Sequence, residues 1–303
     1  MLDICLLGCG GSMPTPNRSL TALLVAFQGR KILIDCGEGT QVSLKMVGWG
    51  FKSIDAICFT HYHADHVVGL PGLLLTIANS DRTEPLKLIG PVGLRQVVAG
   101  LTVIAPNLPY ELELIEVGEN ERFTECMGGM TIHTLPVEHT IPCMAYGIEV
   151  KRERKFDPLK AKENNVPVQL WSKLQKGNVI THEGRQFTPG LVLGEERKGL
   201  KLFYSTDTRP TTQLGEFIKD ADLFICEGMY GDDNDLNKAL ENKHMLFTEA
   251  ARLAKNAKAK ELWLTHYSPS LVEPENYLEN AKMVFDNTHL GRDRTIKSLN
   301  FYD

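Results

Sequence analysis

His61-Tyr62-His63-Ala64-Asp65-His66 follows the apolar run Ile54–Thr60 without a break. Four potential ligands within six residues, at the end of a strand, can face one point only if the backbone turns sharply there. Imidazole and carboxylate are the donor types of a hydrolytic metal site. The competing reading is a polar loop that holds three histidines by accident. The chain has nine histidines among 303 residues, and so dense a cluster argues against accident.

The same arrangement recurs along the chain. His139 follows the apolar run Met130–Pro136, Asp207 follows Leu202–Ser205, and His266 follows Leu262–Thr265. Each strand delivers a candidate ligand into the next loop, where sites on α/β frameworks are built. Alone, each reads as an ordinary loop residue. With the first motif they supply the donors that two metal ions require.

The remaining pattern is strand-rich. Leu2–Leu7, Leu20–Phe27, Lys31–Asp35 and Leu223–Cys226 read as strands, with a hairpin at Gln28-Gly29-Arg30. Thr40–Val47, Val67–Ala78, Leu94–Val103 and Phe247–Asn256 have helical spacing. Two sheets covered by helices fit this order better than one doubly wound sheet. Residues 151–199 differ in character: polar, charge-rich, with Asp157-Pro158 as a helix start, a helical stretch at Val168–Gln175, and a hairpin signal at Glu183-Gly184-Arg185. Between Lys151 and Lys176 eight basic residues face three acidic ones, a local net charge of +5 in a chain of net charge −5. Such a run is a solvated face or a phosphate-binding surface. Trp171 reads as packing within it.

Hydrophobic residues make up 43% and charged residues 23%, a balance that excludes a disordered or membrane-embedded chain. No apolar run reaches the length of a membrane helix. Met1-Leu2-Asp3-Ile4-Cys5 has no basic n-region, so no signal peptide is expected. Seven scattered cysteines without a CxxC pair point away from structural disulfides and toward the cytoplasm. The negative total charge excludes a uniformly basic nucleic-acid coat protein.

Asp35 after a strand, the His-x-His-x-Asp-His loop, and His, Asp and His at later strand ends resemble the metallo-β-lactamase superfamily over nearly the whole chain. The resemblance implies an α/β fold, a four-layer αββα sandwich forming one domain over 1–303, with the site on one edge. It implies that His61, His63 and His139 hold one metal ion, that Asp65, His66 and His266 hold the other, and that Asp207 bridges them. Two zinc ions are expected, with Mn2+ or Fe2+ as alternatives. Asp65 is then the base, and Asp35 orients a ligating histidine; the other reading of Asp35 is a turn aspartate.

Further segments resemble the ribonuclease Z family within that superfamily. Gly8-Cys9-Gly10-Gly11 with Pro14-Thr15-Pro16-Asn17-Arg18 resembles its N-terminal loop, which implies an RNA contact by Arg18. Asp35-Cys36-Gly37-Glu38-Gly39-Thr40-Gln41 and Gly69-Leu70-Pro71-Gly72-Leu73 match it closely. Glu227, in Cys226-Glu227-Gly228-Met229, stands where the family has His-Glu-Ala-Thr. His244, in His244-Met245-Leu246-Phe247-Thr248, stands where the family has a catalytic histidine. The implied roles are proton donation by His244 and its orientation by Glu227. A surface histidine and a strand-end carboxylate are the plainer readings. The insert at about 151–199 corresponds to the family's tRNA-gripping arm, with Lys160, Lys162, Lys173 and Lys176 as its RNA contacts. Val168-Gln169 replaces a Gly-Pro pair common in that arm. Precursor tRNA as substrate and a homodimer follow from the resemblance. A hydrolase of a smaller ester (a cyclic nucleotide, sulfate ester or lactone) and a silent RNA-binding protein are the rival readings.

Overall fold

The computed structural model of the protein describes residues 1–301. Its strands, in chain order, are β1 (Leu2–Gly8), β2 (Ala22–Phe27), β3 (Arg30–Ile34), β4 (Ile54–Cys58), β5 (Leu86–Pro91), β6 (Leu112–Val117), β7 (Thr124–Met127), β8 (Met130–Val137), β9 (Cys143–Arg152), β10 (Ile180–His182), β11 (Arg185–Phe187), β12 (Arg197–Ser205), β13 (Leu223–Glu227), β14 (Leu262–Thr265), β15 (Thr288–Leu290) and β16 (Thr295–Leu299). Fourteen of them form two seven-stranded sheets. One has the order β16-β1-β2-β3-β4-β5-β6, and the other β15-β14-β13-β12-β9-β8-β7.

Strands buried on both faces read as continuous apolar runs rather than alternating ones. In β1, Leu2, Ile4, Cys5, Leu6 and Leu7 are all buried. On one face Cys5 and Leu7 join Leu24, Leu33, Ile57 and Leu88 in a core shared with Leu44, Leu73, Leu94 and Val98 of the helices Thr40–Val47, Leu70–Ala78 and Leu94–Leu101. On the other face the two sheets meet. Buried Tyr146 of β9 donates its hydroxyl to the carbonyl of Phe59 at 2.7 Å, just past β4. The helices Thr212–Phe217, Phe247–Asn256 and Leu278–Val284 pack against the second sheet or one another. This is the expected αββα arrangement.

Parallel pairing sets the level of the strand ends. In β12, β13 and β14 the register places Ser205 beside Cys226 and Glu227 beside Thr265. The residues that follow these strands therefore emerge at one edge. β3 and β4 are also parallel, with Ile34 beside Cys58, and bring Asp35 next to Thr60.

One expected helix differs. Val67–Ala78 is a single turn, Ala64–Val67, and a separate helix, Leu70–Ala78. The break at Gly69 has a steric cause. Its N–H donates to Cys36 O at 2.9 Å, and a Cβ there would lie 2.1 Å from the carbonyl oxygen of Gly37. Cys36 N–H in turn donates to His66 O at 2.7 Å. The turn that carries Asp65 and His66 is thus pressed onto the loop after β3.

Residues Lys151–Gly199 form a second compact unit. Asp157 caps the helix Pro158–Glu163 by accepting from Leu159 N and Lys160 N. Ala161, Val166, Leu170, Leu174, Phe187 and Val192 make a small core of its own. Trp171 packs on Phe156 and donates its indole N–H to Val166 O at 2.9 Å. β10 and β11 form the expected hairpin.

The two glycine environments give opposite predictions. Gly69→Ala forces backbone apart and should destabilise the protein by about 1–3 kcal/mol. Gly100, exposed in a helix with nothing near its missing Cβ, should gain about 0.5–1 kcal/mol as alanine. Urea denaturation midpoints measure both, and shifts of the same sign would contradict the close approach at Gly69.

Candidate metal centre

The strand ends converge on two groups of donors. His61, His63, His139 and Asp207 form one, and Asp65, His66 and His266 the other. All are buried except His63, which is partly exposed. In the first group His63 Nδ1 lies 3.0 Å from His61 Nε2 and 3.3 Å from His139 Nε2. In the second, the Nε2 atoms of His66 and His266 are 3.1 Å apart, and Asp65 Oδ2 lies 3.4 and 3.3 Å from them.

Asp207 faces both. Its Oδ2 is 3.6 Å from His61 Nε2 and 3.7 Å from His139 Nε2. Its Oδ1 is 3.3 Å from His66 Nε2 and 3.2 Å from His266 Nε2. Oδ1 is buried, yet no donor is aligned to hydrogen-bond with it. A buried carboxylate oxygen without a proton to accept, among imidazole nitrogens that point at one another, is the donor set of a cation and not of a hydrogen-bond network. Asp35, Asp207 and His266 all have positive φ, at 61°, 40° and 56°. Strained backbone of this kind survives where the surroundings dictate it.

The outer nitrogens are held from behind. Asp35, wholly buried, accepts from His66 Nδ1 at 2.9 Å and from Thr60 N at 2.8 Å. Thr60 Oγ1 bonds both Asp35 oxygens, at 3.1 and 3.0 Å, and sits 3.0 Å from His61 Nδ1. His139 Nδ1 meets Lys243 O at 3.4 Å. These contacts aim the Nε2 atoms inward and fix the tautomers. Burial holds the pKa of His61 well below its ordinary value and that of His139 at about 4, so both present neutral rings. His66 is different. Burial lowers its pKa, but Asp207 and Asp35 outweigh that and raise it.

Beside the second group, Asp65 Oδ2 accepts from Ser12 N at 2.6 Å. Gly11 lies against His266, where a Cβ would come within 2.7 Å of the ring. Thr60, Gly11 and Ser12 are not marked by the sequence motif. Thr60 alone carried a signal, as the polar residue closing an apolar run directly before His61.

Glu227 and His244 also meet at this edge. His244 Nδ1 lies 3.1 Å from Glu227 Oε2. Glu227 is fully buried and accepts from Thr208 N at 2.6 Å and Met245 N at 3.0 Å. His244 Nε2 has no hydrogen bond among the described residues. Arg18 is placed otherwise than a free phosphate ligand. Its guanidinium donates to the carbonyls of Ser268, Leu271 and Val272 at 3.4, 3.0 and 3.1 Å, and stacks over Tyr267. Within the unit Lys151–Gly199, Lys162, Lys173 and Lys176 are exposed, whereas Lys160 is half-buried and donates to Leu193 O at 2.9 Å.

Comparison with known proteins supplies the context. A family model described as the anti-Pycsar protein Apyc1 matches residues 2–150, and one described as a β-lactamase superfamily domain matches residues 151–267. The chain is 60% identical over 306 residues to a ribonuclease Z of Clostridium acetobutylicum, covering 99% of both chains. It is 60% identical over 301 residues to a ribonuclease Z of Clostridium kluyveri, again covering 99% of both. Among solved structures, human tRNase Z, short form, superposes with a TM-score of 0.70 at 23% identity, covering 99% of this chain and 100% of that one. The fold and the His/Asp groups together indicate a divalent metal.

Thr60→Val removes the hydroxyl that links Asp35 to two of the histidines while keeping the side-chain shape. Affinity for a divalent cation should fall by about 10–100-fold, read by competition with a chromophoric chelator, with the circular-dichroism spectrum unchanged. Unchanged affinity would make Thr60 a packing residue only.

Proposed function

The chain belongs to the ribonuclease Z family of the metallo-β-lactamase fold, and we propose how its residues divide the work of cutting the 3′ trailer from precursor tRNA. The observation that carries the proposal is Asp207, whose two oxygens each face a separate set of imidazoles. On this reading His61, His63 and His139 hold one zinc ion, Asp65, His66 and His266 hold another, and Asp207 joins them. An all-nitrogen-and-oxygen donor set suits zinc, and manganese or iron accept the same donors. When bound, two such ions supply positive charge to a phosphodiester and lower the pKa of water toward neutrality.

The chain's own groups then handle protons. Asp65 Oδ1 has no hydrogen bond among the described residues, and it is the atom that takes the proton of the attacking water. Burial works to raise the pKa of Asp65, but hydrogen bonds from His266 and His66 outweigh it and keep the group ionised. His244 acts at the other end. Burial works to lower its pKa, yet the Glu227 carboxylate prevails and raises it to about 9. The ring therefore carries a proton near neutrality and donates it from Nε2 to the leaving 3′ oxygen. Glu227, pinned by two main-chain N–H groups, keeps the ring in register. Asp35 orients His66 from behind.

The exposed Lys162, Lys173 and Lys176 form the RNA-contacting surface of the unit 151–199. Lys160 serves partly to hold that unit together, and Arg18 acts on RNA through the loop it fixes. A homodimer belongs to the same reading: Val42, Met46 and Leu75 stand exposed on the contacting helices Thr40–Val47 and Leu70–Ala78, and a second copy would cover them. Among the described residues no helix is long and apolar enough to cross a membrane; the cytoplasm, where precursor tRNA is made, is the proposed compartment.

Incubation with an unprocessed precursor tRNA should yield one cut at the trailer junction, mapped to a nucleotide, and zinc analysis should give two ions per chain. His244→Ala should lower kcat on that substrate by about 10²–10⁴ with metal content intact. The loss should shrink on a nitrophenyl phosphodiester, whose leaving group needs no proton. Equal losses on both would remove His244 from the proton-donor role. Replacing Lys162, Lys173 and Lys176 by alanine should raise KM for precursor tRNA and leave kcat nearly unchanged. The log–log salt slope should flatten by up to about 0.7–0.9 for each phosphate that no longer meets a lysine; an unchanged KM and slope would make the segment a solvated face.

A further inference from the structure

Arg209 lies two residues after Asp207, where an arginine beside a phosphodiester site reads first as a phosphate ligand. Its contacts say otherwise. One terminal nitrogen donates to the main-chain carbonyl of His244 and, at 2.9 Å, to Glu249 Oε2. The other donates to Glu249 Oε1. Both side chains are only 12% exposed. A bidentate, nearly buried pair of this kind is geometrically rigid, and it turns three of the guanidinium's five N–H donors toward protein acceptors.

Glu249 is fixed in its turn. It sits in the first turn of the helix Phe247–Asn256 and accepts from Leu246 N at 3.0 Å. At its other end Arg209 is tied to the second sheet's edge by its own N–H, which donates to Glu138 O at 3.1 Å. His244 lies in the short link between the helices Leu236–Asn242 and Phe247–Asn256, directly after Lys243 with its positive φ of 56°. Such a link has little to hold it except specific contacts. Three are present at His244: its N–H donates to Ala239 O at 2.9 Å, its ring meets Glu227, and its carbonyl accepts from Arg209.

We infer that Arg209, clamped by Glu249, is a positioning residue that acts through His244. It fixes the backbone from which the imidazole reaches, as Glu227 fixes the ring. The inference rests on the reading of His244 as proton donor. A reacting group displaced by about 1 Å costs on the order of 100-fold in rate, so a main-chain anchor at this residue has kinetic weight.

A double-mutant cycle tests it on the full-length, metal-loaded enzyme. Arg209→Met and Glu249→Gln are each made alone and in a His244→Ala background. The glutamine keeps an oxygen for Leu246 N–H, so the helix start survives even where the arginine variant folds poorly. Both single variants should lower kcat on precursor tRNA by about 10–100-fold, change turnover of a nitrophenyl phosphodiester by less than about 3-fold, and retain wild-type metal content. In the His244→Ala background either change should cost no more than about 2-fold, because residues acting through one group are not additive. Equal losses on the two substrates, or a reduced metal content, would mean that Arg209 supports the metal centre instead. The same fold-loss with and without His244 would also overturn the inference while leaving the proton-donor reading standing. Should His244→Ala itself slow both substrates equally, the donor reading fails, and the inference falls with it.

Discussion

A carboxylate at full burial costs several kcal/mol unless charge or hydrogen bonds compensate it. Asp207 is such a carboxylate. No aligned proton reaches its Oδ1, and four imidazole nitrogens from three different segments surround its two oxygens. Charge compensation is what the arrangement calls for and what a divalent metal would provide. Much of the edge can be understood as the means of bringing those nitrogens to that one residue. The parallel register of β12, β13 and β14 sets the level of Asp207, Glu227 and His266. The steric contact of Gly69 on Gly37 sets the level of Asp65 and His66. Asp35 and Thr60 set the direction of the rings.

The same edge places two titratable groups in opposite environments. Asp65 is bordered by two histidines and a main-chain N–H, all of which favour its anion. His244 is bordered by Glu227 with Asp207 beyond it, which favours its cation. Pairs of titratable groups pushed in opposite directions suit an acid and a base, the roles proposed for His244 and Asp65.

The sequence exposed the parts whose signal is local. Apolar runs buried on both faces, such as Leu2–Leu7, Ile54–Cys58 and Leu262–Thr265, are visible without a partner strand, and a histidine or aspartate that follows one is conspicuous. The helix Thr40–Val47 ends where its spacing placed the end, and Gly48 stops it there with a positive φ. What escaped depends on pairing. β16 alternates partly covered and exposed residues up to buried Leu299 and declares itself only beside β1, to which it is antiparallel. Thr60 matters because β3 places Asp35 beside it. Arg209 and Glu249 stand 40 residues apart, and neither carries a mark until the helix that bears Glu249 folds back on the second sheet. The break at Gly69 was hidden because its cause, the carbonyl of Gly37, lies in another loop.

The segment Lys151–Gly199 closes a core of its own from six buried side chains, and it holds none of the metal-directed residues. In evolutionary terms the unit offers a surface that can vary on a core of its own. Exposed lysines can be gained, lost or moved along the helix Val168–Gln175 while Leu170 and Leu174 keep it folded. Drift in the surface proposed to meet a polyanion can thus proceed while that small core stays intact. The catalytic edge, where each ring answers to several neighbours, has no such freedom.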